Sequence, residues 1–171
     1  MQNKAFSLIE LLVVTGIIVL LSVIIFPNYR VGERQFALER SAHKLVQDIR
    51  RAEEMAMSAR KYACPTGTMQ GYGVNFFRAA KEYSLSAQCD LSYNIETVQF
   101  EKGVMIKDLA YYLAGEWQAD RAFLWFYFVP PQPQVSMMSG AEKVRITLSL
   151  EIDPDKTEVI IINSAGLVNI E

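Results

Sequence analysis

The side chain that raises the clearest chemical question is Glu10, the only charged residue between Phe6 and Phe26. An α-helix built from this apolar run would be about 31 Å long, close to the thickness of the hydrocarbon core of a bilayer. A lone carboxylate in such a segment is costly unless a cation pairs with it, so its presence indicates a function. This carboxylate can form an ion pair with an amine.

Residues suited to catalysis or metal binding are few in the rest of the chain. His43 is the single histidine and lies among charged residues, as a solvent-exposed helix residue does. Asp90, Asp153 and Asp155 lack the spacing of a known calcium-binding loop. No second histidine completes a metal site, and no Gly-x-Ser-x-Gly elbow is present. We therefore expect no enzymatic activity, no catalytic residues, no metal and no cofactor.

The two cysteines, Cys64 and Cys89, are candidates for a disulfide if their domain lies outside the cytosol. A hairpin that pairs Phe77 with Glu82 would place position 70 opposite Cys89. Cys64 is then within reach if the turn-rich residues that follow it fold back. We predict that the two cysteines pair and that the bond stabilises the domain by roughly 2–4 kcal/mol. Two buried, unpaired cysteines are the alternative.

Composition limits the class of protein and its partners. The chain has 171 residues, which predicts one domain behind a long N-terminal segment. Hydrophobic residues make up 51% of the chain, enough for a core in addition to the apolar run. The net charge is −2 and no basic stripe occurs, so nucleic acid is not an expected partner.

An amphipathic helix pattern continues behind the apolar run to about Lys61. Pro27 lies at the junction and lacks an N–H, so it should kink or locally loosen the helix. Small alanines in the apolar stripe favour packing on a sheet over a coiled coil. The stripe consists of Leu38, Ala42, Leu45, Ile49, Ala52, Ala56 and Ala59. The polar residues expected to face away are Arg40, Lys44, Gln47, Asp48, Arg51 and Glu54.

The C-terminal part of the chain has the patterns of an antiparallel sheet. Short runs rich in aromatic and β-branched residues alternate with turns, and a run without alternation at 122–129 is typical of a central strand. Residues 130–140 are predicted to be a polar loop. The predicted strands are 71–77, 82–87, 95–100, 103–106, 122–129, 144–152, 157–163 and 167–170.

Residues 108–121 fit neither a clean strand nor a clean helix, although they contain Tyr111, Tyr112, Leu113 and Trp117. One interpretation is a short amphipathic helix or flap that caps the sheet. The other is an exposed aromatic surface that contacts a partner subunit or a secreted cargo.

Residues 4–14, KAFSLIELLVV, closely resemble the cleavage and methylation motif of type IV prepilins. That motif has a small residue, an aromatic residue, Ser/Thr-Leu-Ile-Glu and then an unbroken apolar helix. Ala5 stands where the family usually has glycine. The strand GYGVNF at 71–76 and the pattern Asn-x-x-Gly-x-Val-x-Ile at 163–170 resemble the H-type minor pseudopilins (GspH/FimT-like) of type II secretion systems.

The prepilin resemblance implies that a prepilin peptidase cuts between Ala5 and Phe6 on the cytoplasmic side and then N-methylates Phe6. The new amine lies four residues from Glu10, on one helix face. The carboxylate can therefore meet this amine or that of a neighbouring subunit, and the second contact would fix the axial register of an assembly. Breaking a buried charge pair by removing one partner costs about 3–5 kcal/mol.

The implied fold is α+β and type IV pilin-like, with a long N-terminal helix, transmembrane and then amphipathic, packed on an antiparallel sheet. The implied domains are a leader peptide at 1–5, a transmembrane and assembly helix at 6–27, an amphipathic helix at 28–63 and a sheet domain at 64–171. The protein would cross the inner membrane once, with its C-terminal domain periplasmic or extracellular, before entering a pseudopilus or pilus.

The implied function is that of a structural subunit, a minor pseudopilin of a type II secretion pseudopilus. Its partners would be prepilin peptidase, other pilin or pseudopilin subunits, the inner-membrane assembly platform and membrane lipid. Alternatives are a pilin of an adhesion, twitching or DNA-uptake pilus, an anchored binding domain that never polymerises, and an anchored enzyme. A secretory signal peptide would have a shorter apolar core and a cleavage site behind it, and a plain signal anchor leaves Glu10 unexplained.

Overall fold

The computed structural model describes residues 7–58, 61–131 and 134–171, apart from the side chains of residues 24–31. The chain divides into two compact units, Met1–Phe36 and Ala37–Glu171. A single helix, α1, covers Leu8–Met57. It runs without interruption through position 27, so a kink at Pro27 stays a prediction. The helix ends before the predicted Lys61, and Ala59 lies outside the described residues.

The second unit contains two five-stranded antiparallel sheets. The first has the strand order β3-β2-β1-β6-β7, and the second has the order β10-β9-β8-β4-β5. The strands of the first sheet are β1 Gly71–Phe77, β2 Glu82–Gln88, β3 Ser92–Gln99, β6 Phe123–Val129 and β7 Gln134–Met137. Those of the second are β4 Val104–Leu113, β5 Glu116–Gln118, β8 Lys143–Leu150, β9 Thr157–Asn163 and β10 Val168–Ile170.

The α+β class and the arrangement of a helix on antiparallel strands are confirmed, but the prediction of one sheet is wrong. After β3 the chain turns at Gly103, which has φ 88°, and enters the second sheet as β4. It returns to the first sheet as β6, which lies between β1, a strand far away in the sequence, and β7. Strand patterns locate strands, but they do not say which distant strands pair.

The loop predicted at 130–140 is also corrected. Gln134–Met137 forms the edge strand β7 on β6, and a 3₁₀ turn, Met138–Gly140, follows. Buried and more exposed residues alternate in this strand, but only over four positions: Val135 and Met137 point into the core, and their neighbours are more exposed.

One hydrophobic core joins the second half of α1 to strands of both sheets. The predicted apolar stripe is confirmed as the buried face of the helix, with Leu45, Ile49 and Ala52 fully buried. The largest buried rings come from β1, β2 and β6 and include Phe76 and Phe126, whose centroids are 6.0 Å apart. The alanines Ala42, Ala52 and Ala56 of the stripe are buried in the same core as these rings.

Gly71 and Gly73 of β1 are required by the close approach of β6. A Cβ at Gly73 would lie 2.1 Å from the carbonyl oxygen of Phe126, and one at Gly71 would lie 2.0 Å from that of Phe128. Such distances are far below van der Waals contact, and a neighbouring backbone cannot yield as a flexible side chain can. The glycines of the GYGVNF strand are therefore explained by sheet packing.

Candidate assembly surface

The first part of α1 carries large apolar side chains on every side of the helix, and all of them are exposed. Leu8 is 82% exposed, Leu20 is 69% exposed, and even Val14, the least exposed large apolar residue of this part, is 48% exposed. A helix that is hydrophobic on every side is normally buried in a large core or in a membrane. We call residues 8–23, whose large apolar side chains are all exposed, the apolar shaft.

The polar side chains of the apolar shaft differ in whether they have a hydrogen-bond partner. The hydroxyl of Thr15 donates to the carbonyl oxygens of Leu11 and Leu12, both at 3.0 Å. That of Ser22 donates to the carbonyl of Ile18 at 2.8 Å. Bonds of this kind let hydroxyls sit in an apolar environment. The exposed carboxylate of Glu10, in the first turn of the helix, has no hydrogen-bond or ion-pair partner among the described residues.

The predicted cleavage site cannot be placed beside Glu10. Ala5 and Phe6, with the rest of the leader, lie outside the described residues. At the start of the helix, the N–H groups of Glu10 and Leu11 donate to the carbonyl of Ser7 at 3.1 and 3.2 Å. Cleavage, methylation and an amine contact to Glu10 all stay predictions.

The membrane-spanning role predicted for residues 6–27 also stays a prediction. No helix within the described part of the chain is long and apolar enough to cross a bilayer.

In the second half of α1, one flank of the helix is tied to the first sheet by polar contacts. Here the prediction that Arg40, Asp48 and Arg51 face away from the sheet is wrong. Arg51 pairs with Glu96 of β3 at 2.9 Å. Arg40 holds Glu101, just after β3, through two bonds of 2.8 and 2.6 Å. We call this side the closed flank.

The closed flank contains two titratable groups whose pKa values are shifted. Burial raises the pKa of Tyr83, and the hydrogen bond that its hydroxyl donates to Asp48 at 2.5 Å raises it further. The bond from the Arg40 guanidinium lowers the pKa of Glu101. The backbone N–H of Glu101 also donates to the buried hydroxyl of Ser41 at 3.2 Å. Hydrogen bonds from side chains and from the backbone thus anchor the helix to β2 and to the end of β3.

The predicted cysteine pair is present as a disulfide that joins the segment after α1 to the end of β2. The Cα atoms of Cys64 and Cys89 are 6.1 Å apart. The hairpin register that predicts the pair is confirmed, since Gly71 lies opposite Gln88 and position 70 bonds back to the same residue. The disulfide therefore secures the same sheet that the closed flank contacts.

The aromatic segment 108–121 is a β-hairpin, so the predicted helix or flap is wrong. β4 and β5 are joined at Ala114 and Gly115, which have φ 53° and 89°. Positive φ at both central residues is typical of a type I′ turn, which matches the twist of the paired strands. The signal was hidden because alanine replaces the usual Asn or Asp.

The rings of this hairpin are covered by cations of the same chain. Tyr112 and Trp117 lie opposite each other, with centroids 5.4 Å apart. The Arg145 guanidinium lies 4.6 Å from the centre of the Trp117 ring, and the Lys143 ammonium lies 5.7 Å from that of Tyr112. Cation–π contacts of this geometry stabilise the sheet edge. A partner that bound these aromatic rings would therefore have to share them with the side chains of Lys143 and Arg145.

A catalytic or metal site is not assembled by the residues considered from the sequence. His43 is exposed on α1. Asp153 pairs at 4.0 Å with Lys156 in the turn between β8 and β9. Across residues 7–58, 61–131 and 134–171, no group of three or more His, Cys, Asp or Glu side chains could hold a metal ion. The expectation that the protein is not an enzyme stays a prediction.

Comparisons with known proteins give a remote likeness. Neither a protein-family model nor a curated protein matches the chain. Among solved structures, the chain is similar to the crystal structure of the type IV minor pilin FimU of Pseudomonas aeruginosa. The two share 13% sequence identity over 78% of this chain and 87% of that chain, with a TM-score of 0.46. A likeness this remote assigns no function to the chain.

Proposed function

We propose that the protein is a structural, pilin-like subunit that is processed by a prepilin peptidase and inserted into a filament. The finer proposal is a minor pseudopilin of a type II secretion pseudopilus, anchored in the inner membrane by a single helix before assembly. The observation that carries the proposal is the exposed apolar shaft, which has near its start one carboxylate, Glu10, without a partner among the described residues.

The apolar shaft calls for two successive environments in this proposal. Before assembly, lipid covers its apolar side chains, and burial in lipid removes them from water at a gain of about 25 cal/mol per Å². After assembly, the shafts of neighbouring subunits cover one another. Thr15 and Ser22, which satisfy their own hydroxyls, suit both environments.

Glu10 distinguishes a filament subunit from a lone anchor. In a monomer within lipid, the carboxylate would protonate or reach for the headgroups, and leucine would serve better. In a packed filament, only one axial offset between subunits brings the carboxylate to the N-terminal amine of a neighbour. A contact that stabilises little when made but costs much when broken selects this offset.

The second unit has the features of a domain that works outside the cytosol. Its disulfide would be reduced in most cytosolic environments, so the pair Cys64–Cys89 supports export of this domain. The proposed order of events is insertion of the shaft, cleavage after Ala5, methylation of Phe6 and extraction into the filament by an assembly platform.

The alternative within the same class is a pilin of an adhesion, twitching or DNA-uptake pilus. The GYGVNF strand and the pattern at 163–170 favour the H-type pseudopilin through their resemblance to that family. Deleting the neighbouring secretion or pilus genes, and asking which deletion removes the protein from filaments, separates the two.

Mass spectrometry of the mature protein tests the processing step. We expect a chain that begins with N-methylated Phe6 in cells with an active peptidase and the uncleaved chain in cells without it. Ala5→Gly should be cleaved at least as well, since it only removes a methyl group beside the bond. A chain that keeps Met1 in the presence of the peptidase would contradict the proposal.

A further inference from the structure

The flank of α1 that faces β10 differs from the closed flank, because a groove separates the helix from the strand. The groove has a volume of about 600 Å³. Its helix wall carries His43, Gln47 and Arg50, which follow one another at helical spacing and are all exposed. Val46 of the helix and Val168 and Ile170 of β10 supply its apolar surface. We call this feature the β10 groove.

Strand β10 lies at the edge of the second sheet. Its hydrogen bonds to β9 leave the backbone N–H and C=O groups of alternate residues without a partner on β9. Glu171 and Val159 exchange two backbone bonds of 2.8 and 3.1 Å, and Asn163 donates to the carbonyl of Leu167. In an antiparallel ladder, bonded and non-bonded pairs alternate.

The pairs Val168–Ile162 and Ile170–Ile160 are therefore the non-bonded ones. Their N–H and C=O groups point away from β9, along the free edge of the sheet. Within the described residues, β9 is the only strand that pairs with β10. Val168 and Ile170 thus offer backbone donors and acceptors to an additional strand, at the spacing that such a strand would use.

The charge of the helix wall indicates what kind of strand would fit. The guanidinium of Arg50 lies on that wall and makes no ion pair with any described residue. His43 lies seven positions earlier, roughly 10 Å along the helix axis. Glu171 contributes a carboxylate to the groove lining, but strand alternation places its side chain on the face opposite Val168 and Ile170. The face toward α1 thus has an apolar centre, with the Arg50 guanidinium on one side and the His43 imidazole, which can donate a hydrogen bond, on the other.

We propose that the β10 groove binds an extended, acidic segment of a partner protein by strand addition to β10. Its backbone pairs with the N–H and C=O groups of Val168 and Ile170. Its inward side chains place an apolar residue against Val46 and carboxylates beside Arg50 and His43. Recognition of this kind draws affinity from main-chain bonds and specificity from alternate side chains. The site does not depend on the filament function proposed above, since any exported partner with such a segment could occupy it.

The first test uses the full chain in detergent micelles and an acetylated, amidated heptapeptide, TETVTET. Its two glutamates and central valine share one face of a strand. We expect calorimetry to show binding of one peptide per chain and at least about tenfold weaker binding of the lysine counterpart TKTVTKT. No binding of TETVTET at millimolar concentration, or equal binding of the two peptides, would overturn the proposal.

The second test separates strand pairing from side-chain attraction alone. Two versions of TETVTET are methylated on backbone nitrogen, one at the glutamates and valine and the other at the threonines. Only one edge of an added strand can face β10, so one version should lose binding while the other keeps it. Equal binding of both methylated versions and the parent would overturn strand addition.

The third test places the site on the protein. Arg50→Glu should weaken binding of TETVTET at least about tenfold, whereas Lys102→Glu, an equal charge change in the exposed turn after β3, should leave it unchanged. Val168→Pro removes one N–H on the free edge without removing a bond to β9, and it should weaken binding as well. Equal effects of Arg50→Glu and Lys102→Glu would overturn the site. Dimerisation of the chain without peptide that Val168→Pro abolishes would show that a second copy occupies the groove, against the proposal.

Discussion

Both flanks of the second half of α1 carry arginine, but the surroundings of these arginines differ. On the closed flank, Arg40 and Arg51 each find a carboxylate of the first sheet, and Asp48 accepts a bond from Tyr83. On the other flank, Arg50 and His43 border the β10 groove without an ion pair among the described residues. The difference shows that an arginine on a helix stabilises the fold where a strand places a carboxylate within reach, and keeps an unpaired charge where none of the described residues does so.

The largest expected change in stability comes from removing the disulfide, which secures the sheet that the closed flank contacts. Replacing both Cys64 and Cys89 by serine should lower the free energy of unfolding by about 2–4 kcal/mol, because the unfolded chain regains the freedom of the closed loop. Thermal unfolding of the full chain in detergent measures the loss. As a control, reducing agent should destabilise the wild type and leave the double variant unchanged. A wild type that is insensitive to reduction would contradict the pairing.

A smaller effect is expected at the bond between Tyr83 and Asp48. Tyr83→Phe should cost about 1–3 kcal/mol, since it leaves a half-buried carboxylate without its donor. The pKa of Tyr83 is raised in the folded protein, so the neutral hydroxyl stabilises the fold fully below about pH 10, its usual value in an unfolded chain. That contribution is lost as the pH rises further toward the folded-state pKa.

The pH dependence provides the check on this interpretation. The difference in stability between wild type and Tyr83→Phe should be constant near neutral pH and should shrink above about pH 10. Tyr93→Phe, on the same sheet but without a contact to Asp48, is the matched control. A difference that is unchanged at high pH would mean that neither burial nor the bond to Asp48 raises the pKa of Tyr83 in the folded protein.

The smallest effect separates the flanks directly. Arg40→Gln should cost about 0.2–1 kcal/mol, because its pair with Glu101 is largely solvent-exposed. The pKa of Glu101 is lowered in the folded state, so this contribution is present above about pH 4.3 and is lost as the pH falls through the folded-state value. Arg50→Gln should change stability by less than about 0.5 kcal/mol at any pH. Equal losses for the two variants would remove the distinction between the flanks.

The parts of the fold that could be predicted from the sequence are those set by local spacing. The buried stripe of α1 follows from apolar residues three and four apart, and the β1–β2 register follows from one short hairpin. The division into two sheets could not be predicted, because β1–β6 and β4–β8 pairing joins strands that lie far apart in the chain. The turn at Ala114 and Gly115 was missed because its first residue is an unusual one for positive φ.

The candidate sites divide in the same way. Glu10 stands out in the sequence because its surroundings are uniformly apolar, and its assignment rests on a motif. The β10 groove has no such signal. Arg50 and Val168 belong to different elements, and only the placement of β10 beside the helix brings them to one surface. The helix pattern places Asp48 and Arg51 in solvent for the same reason, since their partners Tyr83 and Glu96 lie on strands that this pattern does not specify.

The central claim, that this chain is a filament subunit, is tested most directly by measuring incorporation of a Glu10→Leu variant. The measurement is the fraction of subunit recovered in sheared or cross-linked filaments, relative to the membrane fraction. We predict normal insertion and cleavage with incorporation at least about tenfold below wild type, which corresponds to about 1.4 kcal/mol, and normal incorporation of the control Glu33→Leu. Equal incorporation of Glu10→Leu and wild type would contradict the claim.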